Sequence, residues 1–370
     1  MNVWWGVFAY MIVISASGMI IHKGRKSGNS LAVDVNDSKK YQSIGLFMAF
    51  LSFALLVFFV GQRSWIFDTT DYQFTYTNGF TGDFSEIKYI LEGKSDTKSP
   101  LYNIILIAFK GITHGSYNAW FTFIAIIQCV GLAILFQKYS VNYTFSIFLF
   151  FSSSCFLWLV NGMRQFLVAT IVFMFFDLIA KKKTVPFLIL IFILYFIHSS
   201  VLFWIPVYFI IRFKPWSKKF ILSTLSLAIL LFLVSNTSLL QETDYSYVGE
   251  ETTGVNPLRV IVMSVPVILS FVFRKQIAEE DDPVYNLIIN LSFICSACFI
   301  VGMFTNGFVA RLAVYFQVFN YLSLPWLMKK IDTESSWIKY LSIVCFMAYF
   351  LYDMYVVGNG IYKSDNLRIF

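Results

Sequence analysis

Long unbroken apolar runs, each closed by a short cluster of charges, constrain this chain more than any other feature. The runs measure roughly 15 to 22 residues, close to the ~20 that cross about 30 Å of hydrocarbon as a helix. Spanning β-barrels are excluded, because their strands alternate apolar and polar residues in segments of about ten, and these runs do not alternate. Of the 370 residues 58% are hydrophobic and 13% charged, against about 45–50% and about 25% for a soluble domain. An ordinary soluble protein is therefore ruled out, and a single all-α polytopic membrane domain over 1–370 is expected.

Full spans are expected at about 4–21, 43–61, 118–136, 143–160, 164–180, 220–235, 257–273, 284–303, 308–328 and 337–357. No small-residue cleavage motif follows the first run, so it reads as a retained span. The stretch 186–211 is too long for one comfortable span and too short for two, and His198-Ser199-Ser200 interrupts it.

Positive charge arbitrates, since short cytoplasmic loops keep Lys and Arg. If 186–211 is a broken or re-entrant hairpin, well over half of the 28 Lys and Arg fall on one face; a single crossing leaves fewer than half there. The hairpin is favoured, with both termini outside. The same logic makes 100–113, which contains Lys110, a short outer-side helix that does not span. Two external loops remain, 62–117 and 236–256. The second carries Glu242, Asp244, Glu250 and Glu251 without a base.

The five cysteines lie inside apolar runs, and the Cys295-x-x-Cys298 pair lacks a partner pair, so they read as packing residues and no metal site is expected.

The informative residues are arginines at or just below the outer boundary. Arg63 ends the second span, Arg164 opens the fifth, Arg259 follows the acidic loop, and Arg311 sits about a turn into its span. An arginine in hydrocarbon costs several kcal/mol unless paired or hydrated, so such residues face a bundle interior or a wet cavity. From Lys183 to Ile197 a helix rises roughly 22 Å, which brings His198 to the outer part of the membrane. One outer pocket is expected to hold these five, with Asp68, Asp71 and Tyr72 beside Arg63. Planar guanidinium forks that stay charged suit a phosphate or pyrophosphate. A vestibule rich in Asp, Glu, Tyr, Trp and Asn suits sugars.

Arg63 with Asp68-Thr69-Thr70-Asp71-Tyr72, Asn161-Gly162-Met163-Arg164-Gln165, His198-Ser199-Ser200, and Arg311 with Tyr315 together resemble the EpsG-type branch of the bacterial O-antigen and exopolysaccharide polymerases. The resemblance covers roughly residues 50 to 330. The family usually places a Gly just ahead of its first Asp, where this chain has Ile66 and Phe67.

The resemblance implies a metal-independent, GT-C-like membrane glycosyltransferase, without cofactor, in the bacterial inner membrane with its site facing the periplasm or cell exterior. It implies a lipid-linked oligosaccharide donor and acceptor on undecaprenyl pyrophosphate, with a chain-length regulator as a possible protein partner and no nucleic acid. Residue chemistry then assigns Arg164 and Arg311 to the leaving pyrophosphate, with Arg63, Arg259, Asp71, Tyr72 and Tyr315 as further binding residues. His198 is the first candidate base and Asp68 the second. A ligase that transfers finished polymer is the nearest alternative. A lipid-sugar flippase is the other, although no duplicated halves are visible.

Overall fold

The structure, a computed structural model, describes residues 3–23, 35–95, 97–235, 255–280, 282–305, 307–331 and 337–369. Most of the acidic loop 236–256, with its four acids, lies outside the described residues. So does much of the basic segment between the first two spans.

The chain is helical because a backbone in hydrocarbon must satisfy its own hydrogen bonds. Among the described residues there is no extended strand, only isolated bridges at Trp65–Lys363 and Ser364–Ile369. In chain order the helices are α1 (Val3–Lys23), α2 (Val35–Gly61), α3 (Thr69–Phe74), α4 (Phe84–Leu91), α5 (Pro100–Thr113), α6 (Tyr117–Tyr139), α7 (Tyr143–Ser152), α8 (Met163–Met174) and α9 (Phe176–Ala180). They continue as α10 (Thr184–Tyr195), α11 (Trp204–Ile210), α12 (Lys218–Ser235), α13 (Pro257–Val272), α14 (Arg274–Glu280), α15 (Pro283–Met303), α16 (Gly307–Leu312), α17 (Gln317–Ile331) and α18 (Trp337–Leu351). Among the described residues four segments are long and apolar enough to cross a membrane: Ile44–Gly61 of α2, and α6, α12 and α15. Shorter apolar helices make up most of the rest.

Two compact units divide the chain. The first contains Met1–Phe176, Phe196–His198 and Ile343–Phe370; the second contains Asp177–Tyr195 and Ser199–Ser342.

In the first unit, apolar helix faces interlock through small and polar residues, which draw membrane helices together where no hydrophobic gradient does. The Tyr10 hydroxyl donates to the carbonyl of Leu51 at 2.8 Å, and Ser52 and Tyr143 share a hydroxyl bond of 2.8 Å. Gly131 of α6 touches α8 so closely that a Cβ there would stand 2.3 Å from the carbonyl oxygen of Thr170. Phe8, Phe151 and Phe156 stack in series, with centroids 4.9 and 4.1 Å apart.

The chain ends of this unit gather at one end. Trp4 packs on Tyr362 with centroids 5.3 Å apart, and the Tyr362 hydroxyl donates to Phe59 O at 2.9 Å. Asn366 donates its amide to Gln62 and to Asn118, both at 3.0 Å. The start of α1, the end of α2, the start of α6 and the C-terminal tail thus share one level.

α5 does not cross. Near its C-terminal end Lys110 donates from Nζ to the carbonyls of Phe80 at 2.6 Å, Tyr76 at 2.7 Å and Thr77 at 3.3 Å, and at its start the Leu101 amide donates to Phe196 O at 3.0 Å. A lysine within an apolar run thereby fastens the preceding loop.

Three expected spans are not continuous helices. The run 143–160 is α7 followed, across Ser153 and Ser154, by a 3₁₀ turn at Cys155–Leu159. The hydroxyls of Ser152 and Ser153 bond back to Phe148 and Phe150 carbonyls, and Ser154 takes φ +60°, so three serines in a row end the helix. The run 164–180 divides at Phe175 into α8 and α9, and the Lys181 ammonium pairs with Asp177 at 2.9 Å. The run 308–328 divides into α16, a 3₁₀ turn at Ala313–Tyr315, and α17.

In the second unit α10 and α11 are the limbs of a hairpin. Thr184, at the start of α10, shares a hydroxyl bond of 2.7 Å with Tyr208, near the end of α11, and Phe187 stacks on Tyr208 at 4.8 Å. Limbs whose far ends touch must run antiparallel. Around α13, α15 and α17 the contacts are again polar: Asn320 donates to Met263 O at 3.0 Å, and Ser292 and Ser323 share a bond of 2.9 Å. Four cysteines are buried as packing residues, whereas Cys345 is exposed on α18, and none forms a disulfide.

Candidate active site

The end of the first unit where α2 stops and α8 begins collects most of the unusual polar residues. After Gly61 the chain turns inward and buries Arg63 completely. Its Nε donates to Thr69 Oγ1 at 3.2 Å, one terminal nitrogen reaches the Val60 carbonyl, and the other lies 3.3 Å from Met163 Sδ. The guanidinium also sits 3.9 Å above the Phe121 ring. Burial lowers the Arg63 pKa to about 10, partly offset by nearby phenols and Asp68, so it stays charged at neutral pH. Each of the three guanidinium nitrogens thus has a protein partner, which holds the Arg63 fork in one orientation.

Asp68 and Tyr72 reach the start of α8. Gly162, at φ +68°, is in the left-handed region that glycine adopts without strain, and its amide donates to Asp68 Oδ2 at 2.9 Å. The Arg164 amide approaches the Tyr72 hydroxyl at 3.5 Å, the limit of a hydrogen bond. Burial raises the Tyr72 pKa, while the neighbouring Arg164 charge opposes the shift. Gln128 of α6 adds a bond of 3.1 Å to Met163 O. The Asn161–Gln165 turn is therefore gripped from the loop and from α6.

Arg164 differs from Arg63 in remaining half-exposed. Its guanidinium donates to Ser99 Oγ at 3.0 Å and lies 5.9 Å from the Tyr102 ring centre. Both Ser99 and Tyr102 are buried. His198, also buried, belongs to the same unit, two residues after the Phe196 carbonyl that accepts the Leu101 amide. Asp71 does not join this group in the same way: it is exposed, and its backbone carbonyl accepts from Thr75 at 2.9 Å.

The remaining candidates lie in the second unit. The buried Tyr315 shares a hydroxyl bond of 2.8 Å with Ser200. Arg311 is half-exposed in the last turn of α16. Arg259, in the first turn of α13, stands with its guanidinium 5.9 Å from the Phe299 ring centre. Among the described residues no group of three or more His, Cys, Asp or Glu is placed to hold a metal ion.

Ser99, Tyr102, Gln128 and Met163 were missed as contributors by sequence reasoning. Ser99 had one available signal, its place directly before the Pro100 that opens α5. The others are indistinguishable from helix packing in a chain with 21 tyrosines and 11 methionines.

A polytopic helical membrane protein, with a polar site built on the turn between broken helices, is the class these observations define. The chain belongs to the EpsG family, whose pattern matches residues 46–366. That makes it a membrane protein of the polysaccharide-polymerase, glycosyltransferase-like type. No curated protein and no solved structure matches it.

Proposed function

We propose that this chain joins oligosaccharide repeat units carried on undecaprenyl pyrophosphate into O-antigen, capsule or exopolysaccharide, at the outer face of the bacterial inner membrane. Its fold is then GT-C-like, with about ten crossings, one hairpin and both termini outside. Donor and acceptor are both lipid-linked, and a separate protein sets chain length.

The reaction needs little covalent chemistry from the protein. An acceptor hydroxyl oxygen attacks the anomeric carbon of the donor, the bond from that carbon to the pyrophosphate oxygen breaks, and the lipid pyrophosphate leaves with both electrons. Negative charge grows on the leaving group, so fixed cations aimed there stabilise the transition state more than the ground state. Arg164 and Arg311 fill that role. The hydroxyl proton passes to His198, with Asp68 the second candidate. Arg63 is the third candidate cation, Asp71 and Tyr72 line the approach beside it, and Arg259 and Tyr315 are further binding residues.

The observation that carries this proposal is Arg164, a half-exposed guanidinium whose turn is held by Asp68, Gln128 and the buried Arg63. Such rigidity is what electrostatic catalysis requires, since dipoles and charges fixed beforehand need no reorganisation as the reaction proceeds. Deleting the gene in its host and resolving the surface glycan on a gel tests the function. Single repeat units on the final acceptor support a polymerase. Loss of all glycan there indicates a ligase, and repeat units stranded on the cytoplasmic face indicate a flippase.

A further inference from the structure

The start of α5 joins two parts of the first unit that are far apart in sequence. Ser99, whose hydroxyl accepts from the Arg164 guanidinium at 3.0 Å, is buried, at 1% exposure. Two residues on, the Leu101 amide donates to Phe196 O at 3.0 Å, next to His198. The turn is itself fastened: Thr97 Oγ1 accepts from Asn103 Nδ2 at 2.6 Å and from the Ser99 amide at 3.3 Å. Pro100 then starts the helix where its missing N–H costs nothing. The hydroxyl facing Arg164 is thus mounted on a stiff support.

We propose that Ser99 is a positioning residue for the reaction, acting through Arg164. This rests on the assignment of Arg164 to the leaving pyrophosphate. An arginine side chain has several rotatable bonds, and a guanidinium free to sample them spends little time aimed at one oxyanion. A buried acceptor on one terminal nitrogen narrows the directions that the fork samples, and with them the aim of its opposite edge. Ser99 touches no reacting atom on this account. It determines how often Arg164 is where the charge develops, so its loss acts on turnover more than on substrate affinity.

The discriminating pair is Ser99→Thr and Ser99→Val, which have the same shape and differ only in the hydroxyl. Each full-length variant is compared with wild type in host membranes, with the host's own lipid-linked repeat unit as substrate. The initial rate of polymer formation and its dependence on substrate concentration are measured, and protein level is followed by blot. The proposal predicts that Ser99→Thr keeps most of the rate, while Ser99→Val and Ser99→Ala lose about tenfold or more in kcat with KM little changed, as removal of a hydrogen bond to a charged group implies. A Val or Ala variant that keeps the wild-type kcat overturns it, because the hydroxyl would then be irrelevant; where the added methyl group slows Thr and Val alike, Ala decides. Arg164→Lys run alongside separates the two levels of argument. If that variant polymerises normally, the assignment of Arg164 itself fails; if it is inactive while the Val or Ala variant keeps the wild-type rate, only the role of Ser99 fails.

Discussion

Two arginines that look alike in the sequence have opposite environments. Arg63 has its three guanidinium nitrogens engaged and no exposed surface, whereas Arg164 is half-exposed on a turn that others hold. Arg63→Met is therefore expected to remove about 3 kcal/mol or more of stability, through the buried partners it strands. The measurable result is a several-fold fall in monodisperse, detergent-solubilised protein; full protein yield with loss of polymer would instead make Arg63 a substrate contact. Phe67 offers a second test at this scale. It adopts φ +46°, a conformation that costs a non-glycine residue roughly 1–2 kcal/mol. A glycine just before Asp68 would adopt this conformation without that cost. Phe67→Gly is expected to hold or raise the thermal midpoint and Phe67→Val to lower it, and the reverse order would remove the strain argument.

Breaks between elements carry several of the candidate residues, and they were only partly legible. His198-Ser199-Ser200 announces its interruption because polar residues stand in the middle of an apolar run. The Ala313–Tyr315 and Ser153–Ser154 breaks lie in runs whose hydropathy alone continues without a gap, so a span count based on hydropathy passes over them. Arg164 and His198 were visible for the same reason as the hairpin, a polar group where apolar ones are expected. Ser99 and Tyr102 were hidden because their importance comes from a contact across 65 and 62 residues of chain respectively. Lys110 was noticed but given no partner, and the structure supplies three carbonyls. Lys110→Met should leave the π-helical turn at Thr75–Gly79 without its anchor, and limited proteolysis should cleave within 75–82 at least several times faster than in wild type. Unchanged cleavage would show that the helix contacts of α4 and α5 suffice.

Across the whole first unit, the bonds from Asn366 to Gln62 and Asn118, and the packing of Trp4 on Tyr362, tie both chain ends to the 62–117 loop. The proposed topology puts all of them on one side of the bilayer. Lys138 lies roughly 30 Å away along α6, one membrane thickness. Single cysteines placed at Tyr89, Asp365 and Lys138 in a cysteine-free background test this. An impermeant maleimide added to intact cells should label the first two and not the third, and labelling that separates Tyr89 from Asp365 would refute the arrangement.

The claim on which the rest depends is that a guanidinium at position 164, held in place by the loop and by α5, stabilises the departing pyrophosphate. Arg164→Lys keeps the charge and loses the planar fork. In a host lacking its own copy, the variant is expected to reach the membrane at wild-type level and yield a glycan gel with single repeat units and no ladder. A ladder of normal length and intensity from that variant would contradict the account.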